Sequence, residues 1–300
     1  MAEVVVFGSY VMDLTCKAPH IPAVNETVLS GPFIMGPGGK GFNQAVAAAL
    51  AGSDVAFITK IGKDLYNSFV RDAFAKFELG TDYLFEAKEA ATGVALIVVD
   101  ESGDNAIAVA PGACQLLTPE DVEHARSAFD GVKVLLTQFE ADIKATETAM
   151  RLASDLEATV VCNPAPYCEV DVGFFEPIDI LVPNEVECFY MTGIEVVDDA
   201  TARTAANRLK MLAPTVVITL GDRGVFCPEV SDEIIPAMKV DTIDTTGAGD
   251  AFAGIFAAYL ARDFGIDEAI EHAVAGAALS TTKFGTSPSM PSRAEIEAAG

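Results

Sequence analysis

The stretch Asp244-Thr245-Thr246-Gly247-Ala248-Gly249-Asp250 runs straight into the small, apolar segment from Ala251 to Leu260, which stops near Gly265. Two glycines around one alanine allow a tight backbone turn with several N–H groups aimed outward, and the helix expected behind them adds the positive end of its dipole. Such a nest suits an anion. Asp250 falls in the first turn, where a carboxylate is also an ordinary helix starter worth about 0.3–1 kcal/mol. A capped helix is the plain reading of Asp250 taken alone. Beside an anion nest, however, a carboxylate can take the proton of a hydroxyl while the nest donates to charge developing on a phosphate. On that reading Asp250 is the base, and Gly247, Ala248 and Gly249 supply the donors.

Upstream, strands and helices alternate. Apolar runs at Val4–Phe7, Phe57–Lys60, Val132–Leu136, Thr159–Cys162, Ile178–Val182 and Val216–Leu220 read as buried strands, with helices over Phe42–Ala51, Leu65–Phe77 and Ala141–Ala153. That rhythm predicts an α/β fold, a doubly wound parallel sheet with helices on both faces. Ligands gather at the carboxyl ends of strands in such sheets. The polar residues there are Asp13, Glu140, Asn163, Asn184, Glu187 and the loop Thr219-Leu-Gly-Asp-Arg-Gly224. Two stretches break the rhythm. Thr15 to Ile34 is turn-rich, and Thr92–Asp100 with Ala106–Ala110 forms a hairpin turned at Glu101-Ser-Gly-Asp-Asn105.

Gly36-Pro-Gly-Gly-Lys-Gly41 opens an alanine-rich helix and literally fits GxGxxG, the dinucleotide fingerprint. That fingerprint normally follows the first strand, whereas this one follows an irregular hairpin. It is not a Walker A loop either, because Ile34 stands at the first glycine position and Gly41 follows Lys40. Asp263-Phe264-Gly265 imitates a protein-kinase magnesium motif but ends a helix, and the chain has no His-Arg-Asp to accompany it. Glycines permit close backbone approach, so Gly39, Lys40 and Asn43 at a helix start suit a polyol. Asn184-Glu-Val-Glu187 reads locally as a capping box.

Asp244–Asp250 resembles the C-terminal signature of the ribokinase (PfkB) family of carbohydrate kinases, and Gly38-Gly39-Lys40-Gly41-Phe42-Asn43-Gln44-Ala45 resembles its N-terminal one. The resemblance covers essentially the whole chain. It implies one carbohydrate kinase domain over 1–300, with a discontinuous β lid at about 11–36 and 92–110. It implies a sugar held by Asp13, Gly39, Lys40, Asn43, Glu140 and Asp250, and ATP held by Asn184, Thr219, Gly221, Gly224 and Gly249. Glu187 would act through water on magnesium. Asp244, with backbone carbonyls near Thr246 and from Lys283, Gly285 to Ser289, would cage a monovalent cation, typically potassium. The expected reaction is phosphoryl transfer from ATP to the 5-hydroxyl of a pentose, D-ribose first. A homodimer through the lid is also implied.

One residue departs from the family pattern. Ribokinases commonly carry Asn-x-Asp after the first strand, and here the residues are Val11-Met12-Asp13. Losing the amide removes a partner for one ribose hydroxyl, about 1–3 kcal/mol. 2-Deoxyribose, another sugar or a nucleoside therefore compete as acceptors. A phosphosugar would want an Arg or Lys cluster, and only Lys40 is near the predicted site. A non-catalytic sugar-binding protein is the reading from another class.

Composition narrows the classes further. Three hundred residues, 51% of them apolar, can bury an ample core. A formal charge of -25 with only 19 basic residues argues against nucleic acid. The six cysteines show no CxxC spacing and the three histidines no ligand-like spacing, so reduced packed thiols and no zinc are expected. With no apolar run of 18 and no leader-like start, a soluble cytoplasmic protein without a membrane span is expected.

Overall fold

The computed structural model describes residues 2–102 and 104–299. Met1, Gly300 and the Gly103 of the turn expected at 101–105 lie outside the described residues. The first half of the chain runs β1 (Val4–Phe7), β2 (Val11–Lys17), β3 (Phe33–Gly38), α1 (Lys40–Leu50), β4 (Val55–Gly62), α2 (Asn67–Lys76), β5 (Leu84–Ala87), β6 (Thr92–Val99), β7 (Asn105–Gly112) and α3 (Pro119–His124). It continues as β8 (Val134–Thr137), α4 (Ile143–Asp155), β9 (Thr159–Cys162), β10 (Ile180–Leu181), α5 (Glu185–Thr192), α6 (Asp199–Leu209) and β11 (Thr215–Val216). The last part holds β12 (Ile218–Thr219), β13 (Val225–Phe226), α7 (Ala248–Ala261), α8 (Ile266–Ser280) and α9 (Arg293–Ala299).

Seven strands form one sheet in the order β11-β10-β9-β8-β1-β4-β5, and every recorded pair in it is parallel. The chain order reverses between β1 and its neighbours β4 and β8, the point at which a doubly wound sheet opens a crevice. Side-chain alternation along β1 sorts the two layers. Val4 and Val6 pack with Phe42, Phe74, Phe256 and Ile270 of α1, α2, α7 and α8. Val5 and Phe7 pack with Val122, Ala149, Cys188 and Ala205 of α3, α4, α5 and α6. Both faces of the sheet are therefore covered, which is why its strands read as continuous apolar runs.

Strands β3-β2-β6-β7 form a separate four-stranded sheet. Strand β2 leaves the carboxyl end of β1 after three residues, pairs antiparallel with β3 and parallel with β6, and so hangs the small sheet over the crevice. The strand expected over Val216–Leu220 is split. Its first part, β11, joins the large sheet, while β12 turns away to pair antiparallel with β13. The strand β5 at the edge of the large sheet carried no sequence signal. No helix among the described residues is long and apolar enough to cross a membrane.

Candidate active site

Helix α7 starts from Gly247, whose φ of 82° is left-handed and so favours glycine. This places Asp250, 7% exposed, in the first turn at the mouth of the crevice. Its two oxygens are held by the start of α1: Asn43 Nδ2 donates to Oδ2 at 2.9 Å and Gln44 Nε2 to Oδ1 at 3.0 Å. The helices approach closely enough because Gly254 faces α1; a β-carbon there would sit 2.4 Å from the Gln44 carbonyl. At the turn, the Ala248 N–H differs from expectation, since it donates inward to Thr245 O at 3.2 Å. The Gly247, Gly249 and Asp250 N–H groups have no acceptor among the described residues. The nest is therefore displaced around Ala248, with first-turn donors facing out.

A second carboxylate, Glu140, closes the other side. Its Oε2 accepts from Ser9 Oγ at 2.5 Å and from the Lys40 N–H at 2.9 Å, which fixes it on the loop leaving β1 and the first residue of α1. The Lys40 ammonium makes no ion pair among the described residues. Burial tends to lower its pKa, but the charges of Asp250, Glu140 and Glu187 more than offset that and hold it above the ordinary lysine value. It thus remains a cation between the carboxylates of the two sides.

Asp13 comes from the small sheet, opposite Gly36 and Ala95. Its carboxyl lies against the Gly38 backbone, where a β-carbon would come 2.2 Å from Oδ1. Burial first, then the charges of Glu140 and Asp250, push this carboxyl up to about 7 against a hydrogen bond with Thr286. A cleft of about 440 Å³ opens beside it, lined among others by Gly36, Phe69, Phe284 and Thr286. A larger cleft of about 680 Å³ lies on the outer face of α5, lined by Val186, Phe189, Tyr190 and Arg223, and contains none of the carboxylates Asp13, Glu140 or Asp250.

Asn184 and Glu187 form the reciprocal capping box that their spacing predicts. Asn184 Oδ1 accepts from the Val186 and Glu187 N–H groups, and Glu187 Oε2 accepts from the Asn184 N–H at 2.9 Å. Burial raises the Glu187 pKa although Asn184 and Lys40 oppose it. An isolated parallel bridge joins Asn184 to Thr219, bringing the two loops together. In the second loop Gly221 (φ 59°) and Gly224 (φ 109°) both need left-handed backbone, and a β-carbon on Gly224 would overlap Ile235 O.

Asp244 ties the turn before α7 to the loop after α8. Its Oδ1 accepts from Thr246 N–H and hydroxyl at 2.9 and 2.6 Å, and its Oδ2 from Gly285 N–H at 3.0 Å. Burial raises its pKa, but these three bonds outweigh it and hold the carboxylate below its ordinary value. Ser289 Oγ donates to Thr286 O at 2.7 Å. The Lys283 ammonium turns away to Glu295 at 2.9 Å, leaving only its main chain near this loop. Among the described residues no group of three or more His, Cys, Asp or Glu could hold a metal ion. The Asp244 carboxylate and the main-chain oxygens beside it are hard donors of the kind that alkali and alkaline-earth cations take.

Residues that the sequence did not single out complete the site: Ser9, Gln44, Gln138 and Thr286. Ser9 and Gln138 sit just past strand ends, which was a usable signal, while Gln44 lies in the Gly38–Ala45 signature and Thr286 in the Gly285–Ser289 loop, where nothing local marks their long-range contacts.

The chain is similar to known proteins over nearly its whole length. The family model described as "pfkB family carbohydrate kinase" matches residues 1–293. The chain is 37% identical to a ribokinase of Haemophilus influenzae over 97% of this chain and 95% of that one. It is 34% identical to a deoxyribokinase of Salmonella typhi over 97% of this chain and 96% of that one. The solved structure of Arabidopsis thaliana ribokinase complexed with ribose and ATP superposes with a TM-score of 0.87 at 25% identity, covering 99% of this chain and 98% of that one. A doubly wound sheet matched over nearly the whole chain by the family model and by ribokinases is that of a carbohydrate kinase. The chain belongs to the pfkB family of carbohydrate kinases.

Proposed function

We propose that the enzyme transfers the γ-phosphoryl group of ATP to the 5-hydroxyl of D-ribose. The observation that carries this reading is Asp250, oriented by two side-chain amides in the first turn of α7 beside outward N–H groups. Asp250 takes the proton of the attacking hydroxyl. The N–H groups of the turn receive the charge that develops on the transferred group, in a loose transition state where positioning matters more than basicity. Asn43 is buried beside Asp250, to which it donates. Asp13 and Glu140 accept further hydroxyls, with Gly39 allowing close backbone approach, and the Lys40 cation lies in the field of Asp250, Glu140 and Glu187.

ATP lies along Asn184, Thr219, Gly221, Gly224 and Gly249 in this reading. Glu187 would hold magnesium through water, and that ion neutralises phosphate charge. Asp244 with the carbonyls of Thr246, Lys283, Gly285 and Ser289 would hold potassium and thereby stiffen the turn before α7. Phe33, Met35 and Leu96 are exposed on one face of the small sheet and Ile34, Ile107 and Val109 on the other, and this uncovered apolar surface supports a homodimer formed through the sheet. ATP as donor fits a cytoplasmic enzyme.

2-Deoxyribose is the second reading, favoured by Val11. This apolar residue is 3% exposed, stands between Gly38 and Gly93 across the small sheet, and offers no hydrogen bond. ADP release with ribose and with 2-deoxyribose under equal magnesium and potassium tests both. A clear preference for ribose makes Val11 a tolerated change, and a preference for deoxyribose makes it the respecified contact. Asp250→Asn is expected to lower kcat by about 10²–10⁴-fold while sparing sugar binding; normal turnover would remove Asp250 from the role of base.

A further inference from the structure

Asp250 is aligned by a chain of amides whose direction is set from the main chain. The Val182 carbonyl, just after β10, can only accept, so Asn163 must present Nδ2 to it, at 2.8 Å. Asn163 Oδ1 then faces Gln44, which must answer with Nε2, at 3.1 Å. The same Nε2 donates to Asp250 Oδ1, and Gln44 Oε1 is left to accept from Gln138 Nε2 at 2.6 Å. Gln138 ends the chain with Oε1 buried and unpartnered, against Gly8, where a β-carbon would lie only 2.1 Å away. Both Gln44 and Gln138 are fully buried. No amide can flip without setting oxygen against oxygen.

We propose that Gln44 is the positioning residue of the phosphoryl transfer, holding the Asp250 carboxylate in one orientation through an amide chain anchored at Val182 O and locked by Gln138. The inference rests on Asp250 being the base. The anchor immediately precedes Pro183 and the Asn184–Glu187 box, so the chain also links the proposed nucleotide side of the crevice to the proposed sugar side. Asp250 keeps one orientation because Gln44 can only donate to it. The remaining carboxylate lone pairs stay directed at the open crevice, where the hydroxyl proton is lost.

Two substitutions separate positioning from packing. Gln44→Leu removes the donor and is expected to lower kcat by about 10–100-fold with sugar KM unchanged, the cost of a misaligned base. Because that change also strands Asn163 Oδ1 and Gln138 Nε2, Gln44→Glu is the informative partner. Its carboxyl must share one proton with Asp250, since two adjacent carboxylates resist ionising together. Its kcat is therefore expected to approach the parent value at low pH and to fall as the shared proton is lost on raising pH, a profile the parent enzyme lacks. In the Asp250→Asn background, Gln44→Leu is expected to have no further effect on residual turnover. A parent-like kcat in both variants, or a pH-independent loss carried by KM, overturns the assignment. Normal turnover of Asp250→Asn alone would instead overturn the reading of Asp250, so the two failures are distinct.

Discussion

The Asp13 carboxyl lies against the Gly38 backbone and in the field of Glu140 and Asp250; burial and then those charges push it up to about 7. The sign of its effect on stability follows from linkage. Below the ordinary value of 3.8 the group is protonated in both folded and unfolded chains. Between 3.8 and about 7 the folded protein keeps a proton that the unfolded chain has released, so stability falls as pH rises, and the full penalty is present above about 7. Asp13→Asn is therefore expected to raise stability by about 1–3 kcal/mol at alkaline pH and by nothing near the unfolded-state value. The same change should weaken sugar binding by about 10- to 100-fold, the worth of a hydrogen bond to a charged acceptor. Thermal melts across this range, with KM for ribose and 2-deoxyribose, check both parts. Parallel melting curves would mean that Asp13 is ionised throughout.

At the scale of elements, the site depends on how closely α7 crosses α1. Helix α7 is almost wholly buried and built of Ala, Gly and Phe, and Gly254 is its point of nearest approach. Gly254→Ala would bring a β-carbon to 2.7 Å from Ala47 Cβ as well as 2.4 Å from Gln44 O, so the helices must separate. Overpacking of this kind costs about 1–3 kcal/mol. Because Asp250 and Gln44 ride on the two helices, turnover should fall by up to about 10²-fold, out of proportion to the stability loss. Chemical denaturation and kcat on the same preparation would check it; a lower midpoint with unchanged kcat would mean that the helices shift without disturbing the carboxylate. The sequence was legible where an element is defined by its own residues. β1 and β9 have the bounds that their apolar runs predict, and the Asn184–Glu187 box is as its spacing reads. β5 was silent because Leu-Phe-Glu-Ala is only four residues long and has no apolar–polar alternation. Val216–Leu220 misled because one apolar run serves two sheets, leaving the first at Val217. The partners of Gln44 and Gln138 were hidden for a different reason: their contacts lie 206 and 94 residues away, and only the closed fold joins them.

Over the whole molecule, 44 acidic residues face 19 basic ones, a formal charge of -25. Several acids already have partners, such as Asp121 with Lys60 and Glu295 with Lys283, but most of the excess has none to find. Self-repulsion of this size destabilises the folded state, and salt screens it over a Debye length that shrinks from about 30 Å at 0.01 M to about 8 Å at 0.15 M. Melting temperature is therefore expected to rise by a few degrees over about that range of sodium chloride, where ~1 kcal/mol corresponds to ~2–4 °C in a chain of this order of size. Screening depends on ionic strength alone. A potassium ion held by the loops that Asp244 joins would add a second, saturable gain that sodium or tetramethylammonium at equal ionic strength does not reproduce. Asp244→Asn replaces one acceptor of the Thr246 and Gly285 N–H groups and should abolish the potassium-specific part while leaving the screening part intact. Melts in matched chloride salts of the three cations thus divide the two effects. Identical curves for all three would leave screening as the whole of the salt response and remove the cation cage.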